Sequence, residues 1–189
     1  MWGFQLWANL PASRKMMDPR YREVKRGEIP EVDVGRGVKV KVVCGEAGGV
    51  KGPVRNIVID PQYLDVRVPT GAEFAHPVRK GHTVFAYVID GAGFFDDHRN
   101  CDGYDTDTMS YFDISRDCLL KKETVVLYGD GEEVRVAAAD GGVRFLLVSG
   151  KPLREPVAWQ GPIVMNTREE LRVAFREYQE GTFIKKGKD

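Results

Sequence analysis

The sequence predicts an all-β domain, a sandwich or barrel of antiparallel strands, with one short helix near the C-terminal end. Short runs that alternate apolar and polar residues recur along most of the chain, as in half-buried strands. Gly, Pro and Asp residues separate these runs at nearly regular intervals, which is typical of sandwiches and barrels. One segment near residue 170 instead repeats its apolar residues at the spacing of a helix.

Composition narrows the classes of function. The chain has 189 residues, of which 42% are hydrophobic, so it can bury a core of its own. Basic and acidic residues balance at 28 each, and we therefore expect no nucleic-acid partner. No run approaches the roughly 20 apolar residues of a membrane span, and the first residues lack the basic and apolar regions of a signal peptide. We therefore expect a cytoplasmic protein with no membrane partner.

Residues 1–35 are predicted to form an N-terminal strand and a connecting segment. The large apolar residues of this strand are Trp2, Phe4, Leu6 and Trp7. An exposed aromatic strand near a chain end tends to associate with another chain. We therefore expect a homodimer, or a contact with a protein partner, through these four side chains.

Residues 36–156 are predicted to form the main β domain. Its expected strands are Val38–Cys44, Val54–Asp60, Tyr63–Pro69, Thr83–Ile89, Gly93–Asp97, Ser110–Ile114, Thr124–Tyr128, Glu132–Ala138 and Val143–Ser149. Gly129-Asp130-Gly131 and Asp140-Gly141-Gly142 are predicted to be tight turns between neighbouring strands. Gly45–Pro53 is rich in glycine but lacks the phosphate-loop pattern, so we expect a mobile loop that joins two strands.

Residues 157–189 are predicted to form a C-terminal extension with a helix at about 167–180. Thr167 and Glu170 have the spacing of a capping box, in which each side chain bonds the other residue's backbone N–H. The apolar face of this helix consists of Leu171, Ala174, Phe175 and Tyr178. We expect that face to pack on the outside of the sheet.

Four motifs link the chain to a known family. They are G-F-Q-L-W-A-N-L-P at 3–11, P-R-Y at 19–21, G-K-P-L-R-E-P at 150–156 and G-P-I-V-M-N-T at 161–167. Together, and in this order, they resemble the pirin family, whose members are similar to other bicupins in stacking two jelly-roll β-barrels face to face. The resemblance implies the C-terminal cupin half and the connection between the domains. The expected fold is therefore a cupin-type jelly-roll barrel or sandwich with a short C-terminal helix.

The same resemblance shapes the expected function. In the family, an iron site of three histidines and a glutamate lies in the N-terminal cupin, and those positions have no counterpart in this sequence. No catalytic or cofactor-binding residue can therefore be carried over. We expect a single-cupin binding or protein-interaction module, regulatory in role, with no metal centre of its own. The alternative is a metal-dependent quercetin 2,3-dioxygenase-type enzyme, or one half of it completed by another chain, with Fe(II) or another divalent metal.

The histidines are the residues on which a metal site would depend. A cupin site needs two histidines at H-x-H spacing, because alternate residues of a strand point the same way. Val78 stands where His76 would need its partner, and the chain has no H-x-H pair. The remaining candidate ligands are Glu73, His76, His82, His98 and Asp97. His76 and His82 would be about 20 Å apart in an extended chain, so only a turn could join them; surface or hydrogen-bonded histidines are the alternative.

A small-molecule sensor is a further alternative. The mouth of a β-barrel can form an apolar pocket for a ligand. An aromatic compound, such as a flavonoid or an aromatic acid, is the ligand expected for such a pocket.

Overall fold

The computed structural model describes residues 3–96 and 118–185. The strands are β1 (Glu31–Asp33), β2 (Lys39–Cys44), β3 (Glu46–Ala47), β4 (Val50–Lys51), β5 (Gln62–Val68), β6 (Glu73–Pro77), β7 (Thr83–Phe94), β8 (Leu120–Lys121), β9 (Val125–Leu127), β10 (Glu133–Gly150), β11 (Ala158–Gln160) and β12 (Ile163–Met165). The α-helix, α1, is Arg168–Gln179, and 3-10 turns occur at Ala12–Arg14 and Arg26–Glu28. The prediction of a mostly β chain with a short C-terminal helix is confirmed.

Eight strands form one antiparallel sheet. Six of them follow the order β1-β2-β5-β10-β7-β8, while β6 pairs with β10 and β9 pairs with β7. β10 therefore pairs with β6 and then with β5 along one edge, and with β7 along the other. Two further pairs, β3 with β4 and β11 with β12, form separate hairpins. The long strands β7 and β10 thus hold most of the sheet together.

β10 is continuous where the sequence predicted two strands and a turn. Its ladder with β7 shifts register between Ala138 and Val143 and then continues. Gly141 and Gly142 have φ angles of 91° and 80°, left-handed values that glycine adopts without steric cost. The Asp140-Gly141-Gly142 turn prediction is therefore wrong: these glycines form a β-bulge, which bends a strand without ending it.

The core of the sheet is built from alternating apolar residues. In β2, Val40 and Val42 are fully buried, whereas the lysines that precede them are not. This is the alternation of a half-buried strand. Phe145 of β10 lies in the same core, with its ring centroid 5.8 Å from that of Phe74 and 5.3 Å from that of Phe95, both edge to face.

The glycine-rich segment Gly45–Pro53 is an ordered hairpin. β3 and β4 pair within it, and Ala47 is buried in the main core. Gly48 and Gly49 at its turn both have positive φ angles, 55° and 76°, as a type I′ hairpin turn requires. The mobile-loop prediction is wrong, because the same glycines that permit flexibility also permit this tight turn.

Two other predictions in the main domain are also wrong. Val54–Asp60 is not a strand, since Val54 makes one isolated bridge and the chain then turns. Left-handed φ angles of 60° at Asn56 and 45° at Asp60 interrupt the extended backbone. Gly129-Asp130-Gly131 connects β9 to β10, and these strands pair with other strands and not with each other. The predicted strand Ser110–Ile114 lies outside the described residues.

The predicted N-terminal strand is absent from residues 3–11. No described strand pairs with this segment, and it runs without ladder hydrogen bonds into the 3-10 turn at Ala12–Arg14. Alternation alone does not make a strand, because a strand also needs a neighbour for its backbone groups. Phe4, Leu6 and Trp7 are 47%, 48% and 60% exposed, and Trp2 lies outside the described residues.

Helix α1 begins as the sequence predicted. The Thr167 hydroxyl accepts the Glu170 N–H at 3.1 Å, and the Glu170 carboxylate accepts the Thr167 N–H at 2.9 Å. This capping box satisfies two backbone donors of the first turn. The buried Leu171 and Ala174 of the helix pack with Ile163 and Met165 of the β11–β12 hairpin.

By its internal contacts the chain divides into two compact units. One comprises Val24–Lys151 and contains the main sheet, and the other comprises Met1–Glu23 with Pro152–Asp189 and contains α1. Within the described part of the chain, no helix has both the length and the apolar character of a transmembrane span.

Candidate functional site

β6 determines where two of the predicted metal ligands lie. Its residues alternate strictly between exposed and buried, so Glu73 is exposed and His76 is buried. Residues three apart in a strand point to opposite faces. The Glu73 carboxylate and the His76 imidazole therefore cannot share one ion, and the structure does not bring this predicted pair together.

His76 is part of the interior of the main sheet. Its side chain is 5% exposed and stacks on Phe74, with ring centroids 5.8 Å apart and planes 7° apart. Its Nε2 lies 3.0 Å from Oε1 of Gln62, so Nε2 carries a proton and donates it to the carboxamide oxygen. Burial lowers the pKa of His76. The imidazole is therefore neutral, and its Nε2 proton already has an acceptor. This agrees with the alternative to a metal site, in which the histidine makes an ordinary hydrogen bond.

His82 is placed differently from His76. It ends the loop between β6 and β7, where its backbone N–H bonds the Arg79 carbonyl at 3.1 Å. Its half-buried side chain lines a surface cavity that His76 does not reach. His98 and Asp97, the remaining predicted ligands, lie outside the described residues. Residues 3–96 and 118–185 hold no group of three His, Cys, Asp or Glu side chains that could bind a metal ion, so the candidates there do not fit one.

The cavity lies at one end of the main sheet. It has a volume of about 360 Å³ and is lined by residues from the ends of β2, β5 and β10, from the β3–β4 hairpin and from two loops. Its lining includes Cys44, Glu46, Lys51, Val54, Arg55, Ile57, Asp60, Pro61, Gln62, Arg79 and His82. Its size falls within the range of small-molecule sites in proteins. We call it the sheet-end cavity.

Two glycines hold the wall of the sheet-end cavity close to the sheet. The Gly52 N–H bonds the Gly45 carbonyl at 2.9 Å. A Cβ at Gly52 would lie 2.5 Å from the Val43 carbonyl oxygen, and one at Gly45 would lie 2.8 Å from Cγ of Gln62. Any larger residue would push the wall outward, so these glycines are required by the close approach of the backbones.

The charges of the cavity are mostly paired. Nζ of Lys51 lies 3.8 Å from a carboxylate oxygen of Glu46, and the Arg79 guanidinium contacts the Asp60 carboxylate. Nε of Arg55 donates to the Gly52 carbonyl at 3.0 Å, which fixes the guanidinium on the wall. The lining thus has three basic side chains against two acidic ones.

Cys44 contributes a thiol and not a thiolate. Its Sγ donates to the Pro61 carbonyl at 3.2 Å. Burial raises the pKa of this thiol. Since the thiolate is the reactive form of cysteine, Cys44 acts as part of the wall and is not an activated nucleophile.

Comparison with known proteins identifies the family of this chain. Residues 63–184, more than half of the chain, match the model of the pirin C-terminal cupin domain. The chain belongs to the pirin family. The resemblance drawn from the four motifs is confirmed, and the main sheet is a cupin fold.

Individual pirin relatives match over almost the whole chain. Human pirin is 38% identical over 178 residues, which are 94% of this chain and 55% of pirin. A pirin-like protein of Caulobacter vibrioides is 38% identical over 184 residues, 97% of this chain and 59% of that one. The solved structure of a quercetin 2,3-dioxygenase from Acinetobacter baumannii matches with a TM-score of 0.75 and 27% identity, covering 94% of this chain and 55% of that chain. The chain spans 55–65% of the length of the curated relatives that it matches.

Two of the pirin motifs, and the residue that follows a third, meet at Glu155. Its Oε2 accepts the Ala12 N–H at 2.8 Å, directly after the first motif, and Nδ2 of Asn166 at 2.9 Å, from the last motif. The hydrogen bond from Ala12, followed by that from Asn166, lowers the pKa of Glu155. Nζ of Lys15 bonds Oδ1 of Asn9 at 2.6 Å, which adds a second tie within the same segment. These hydrogen bonds join distant segments of the unit formed by Met1–Glu23 and Pro152–Asp189, so the motif residues that make them have a structural role.

The sequence of this pirin-family chain predicted a ligand pocket only in general terms, and of the residues of the sheet-end cavity it singled out His82 alone as a candidate ligand. Gln62, Arg79 and Arg55 belong to no motif, and each reaches the cavity through its place at a strand end or in a loop. A signal existed in Gly45 and Gly52, which flank the hairpin and mark close backbone approach. This glycine signal can be interpreted only when the pairing of the strands is known.

Proposed function

We propose that this pirin-family chain works as a binding module and not as a metal-dependent catalyst on its own residues. The separation of the candidate ligands supports the proposal, because Glu73 and His76 lie on opposite faces of β6 and His82 lies in the sheet-end cavity. His76 is bonded to Gln62 within an apolar core. A divalent cation there would lose its hydration with no carboxylate beside it, which is costly.

The partner that we propose for the N-terminal segment is a second copy of the chain. Phe4, Leu6 and Trp7 are about half exposed and lie within five residues of one another. Exposed large apolar side chains that cluster in the sequence are typical of association sites. In a symmetric dimer the same side chains are buried twice, so a short segment contributes a sizeable contact.

Metal content tests the proposal directly. The untagged protein is equilibrated with Fe²⁺, Mn²⁺, Ni²⁺ and Zn²⁺ in turn, passed through a desalting column and measured by plasma mass spectrometry. We expect far less than one ion per chain, because the histidine and carboxylate candidates of the described chain do not converge. His76→Ala and His82→Ala should leave this low value unchanged.

Near-stoichiometric metal that is lost in His76→Ala would overturn the proposal. It would mean that His76 leaves Gln62 and binds an ion with residues that the described chain does not place beside it. Metal that is retained in His76→Ala and lost in His82→Ala would overturn it as well, and would locate the ion at the sheet-end cavity.

The second candidate is one half of a quercetin 2,3-dioxygenase-type enzyme. The match to the Acinetobacter baumannii structure favours it, since this chain covers 55% of that protein. In this case a separate chain would supply the metal-binding residues. Oxygen uptake with quercetin, measured for the chain alone and with the separately expressed N-terminal half of the Caulobacter vibrioides relative, distinguishes the two candidates. Uptake by the mixture alone would support the enzyme half, and no uptake in either case supports the binding module.

A further inference from the structure

A groove lies on the surface between β11 and α1. It has a volume of about 820 Å³, with residues 157–160 along one wall and one face of α1 along the other. Both walls belong to the same compact unit of the chain. We call it the helix groove, and we infer that it binds an acidic peptide segment of a partner protein, in which acidic and apolar residues alternate. This inference goes beyond the proposed dimer, since it uses none of the N-terminal apolar side chains and holds equally for a monomer.

The α1 wall of the helix groove carries a row of positive charge. Arg168, Arg172 and Arg176 all line the groove and are exposed. Because they are spaced four residues apart, they lie on one side of the helix at intervals of about 6 Å. No acidic side chain is among the described residues that line the groove. The lining therefore favours a ligand with several negative charges. We call these three residues the arginine row.

The glutamates of α1 do not cancel the arginine row. Glu169 pairs with Arg172 at 2.8 Å, but both side chains are about 70% exposed, and such a pair is weak in water. The Glu170 carboxylate accepts the Thr167 N–H at 2.9 Å in the capping box. At about 100° per residue, the arginine row occupies about 80° of the helix circumference, and the glutamates of α1 fall outside this sector. The side of α1 that faces the groove is therefore positive.

The opposite wall of the groove is apolar and open to solvent. Val157 and Trp159 line this wall and are 63% and 67% exposed. Nε1 of Trp159 donates to the Gly161 carbonyl at 2.7 Å, which restricts rotation of the indole ring. A partner that packs on this ring therefore loses little side-chain entropy. Tryptophan is also among the residues that contribute most to binding at protein interfaces.

An extended peptide fits both walls of the helix groove. Successive side chains of an extended chain point in opposite directions, and side chains on the same side recur about every 6.7 Å. This repeat is close to the interval of about 6 Å within the arginine row. Acidic side chains at alternate positions thus each contact one arginine, while the apolar side chains between them contact Val157 and Trp159. A small acid with one carboxylate would leave part of the row without an anion.

Three fluorescently labelled peptides of about seven residues test the inference. In the first, glutamate alternates with valine and phenylalanine. The second has glutamine in place of each glutamate, and the third has the composition of the first with its glutamates grouped at one end. Each is titrated with the protein and followed by fluorescence anisotropy, and we expect a Kd on the order of 100 μM for the first.

The two control peptides separate charge from arrangement. The glutamine peptide should bind at least about tenfold more weakly than the alternating glutamate peptide, because arginine bonds a carboxylate more strongly than a carboxamide. The grouped peptide should bind at least about threefold more weakly, since it cannot present acidic side chains to one wall and apolar side chains to the other along its whole length.

Two pairs of variants locate the binding site. Arg172→Met should raise the Kd of the alternating peptide by about threefold, whereas Arg79→Met should leave it unchanged. The two arginines are matched, since they are 72% and 71% exposed and each pairs with a carboxylate. Trp159→Ala should raise the Kd by at least about fivefold. Tyr178→Ala is its control, because Tyr178 is 65% exposed on the same helix and does not line the groove.

Preference for the alternating glutamate peptide, with weaker binding in Arg172→Met and Trp159→Ala and in neither control, supports the docking site. Equal binding of the glutamate and glutamine peptides would contradict recognition by the arginine row. Equal weakening by Arg79→Met would place the peptide elsewhere, and the absence of saturable binding would eliminate the site.

Other occupants of the helix groove are distinguished by two further measurements. A single-stranded oligonucleotide of equal charge that displaces the peptide as well as unlabelled peptide does would replace the peptide with a general polyanion. Loss of self-association in Trp159→Ala, without peptide binding by the original protein, would assign the groove to a second copy of the chain. Either result would overturn the inference. All four variants alter exposed side chains, methionine is as good a helix former as arginine, and circular dichroism checks that they fold.

Discussion

At the scale of single residues, His76 illustrates how burial and one hydrogen bond determine the state of a side chain. Its pKa is lowered because desolvation disfavours the imidazolium form. In the unfolded chain the same group titrates at its ordinary value of about 6.5. Between the lowered pKa and about 6.5, the unfolded state therefore binds more protons than the folded state. In this window the stability of the folded protein rises with pH.

We expect this proton linkage to be measurable. The free energy of unfolding, obtained by urea titration, should decrease as the pH falls from about 7.5 to about 5.5, and His76→Phe should make that decrease smaller. Phenylalanine keeps the stack on Phe74 but has no proton to gain, and loss of the bond to Gln62 should cost about 1 kcal/mol at the higher pH. His82→Phe is the companion variant. If it reduces the pH dependence and His76→Phe does not, the linkage belongs to the exposed loop and not to the core.

At the scale of elements, the glycines of β7 and β10 allow the two longest strands to pair closely. Gly91 of β7 has a φ angle of 72°, and a Cβ on it would lie 2.1 Å from the Gly142 carbonyl oxygen. A Cβ on Gly142 would likewise lie only 2.9 Å from the Val68 carbonyl oxygen. The bulge therefore depends on glycine in both strands.

Gly91→Ala should destabilise the sheet by at least about 3 kcal/mol, because backbone must move to make room for the methyl group. Gly129→Ala is the control: a Cβ there meets nothing within 4 Å. It should change the free energy of unfolding by no more than about 1 kcal/mol, and in the stabilising direction if the backbone is compatible. Equal urea midpoints for both variants would show that the bulge tolerates a side chain.

The elements also show what the sequence could predict. The valine alternation of β2 and the capping box of α1 are local signals, and both appeared where expected. The turn predicted at Asp140-Gly141-Gly142 and the mobile loop predicted at Gly45–Pro53 are wrong, because glycine permits a turn, a bulge or a hairpin equally well. Only the pairing of distant strands decides among these structures.

At the scale of the whole molecule, the proposed association with a second copy concerns the N-terminal segment. Residues 3–11 form no ladder within the described chain, yet they carry three large apolar side chains. A second copy could supply both the missing strand neighbour and the missing apolar cover.

Sedimentation at rising concentration tests this association. We expect a dimer at high micromolar concentration, and we expect Leu6→Asp to weaken it by at least tenfold in Kd, since a buried charge opposes the apolar contact. Leu127→Asp is the matched control, because Leu127 of β9 is 73% exposed and outside the segment. A compact monomer at the highest concentration, or equal weakening by both variants, would contradict the dimer.

The site was less predictable than the fold. The sequence identified the histidines as candidate metal ligands. In the structure, however, Glu73 and His76 lie on opposite faces of β6. Residues three apart in a strand point to opposite faces, so a prediction that 73–77 forms a strand would also have predicted this separation. The contact of His76 with Gln62 and the meeting of Arg79 with Asp60 join residues 14 and 19 positions apart. Such contacts depend on the folded sheet and cannot be predicted from the local sequence.

β10 has a consequence for how the protein is made. Its hydrogen-bonding partners β5, β6 and β7 are all complete by Phe94, whereas β10 begins at Glu133. During translation these three strands must therefore emerge from the ribosome before the strand that joins them exists. Apolar strands with open edges pair readily with the wrong chain. The nascent protein thus passes through an interval in which these strand edges are open to wrong pairing, and that interval ends when β10 is released.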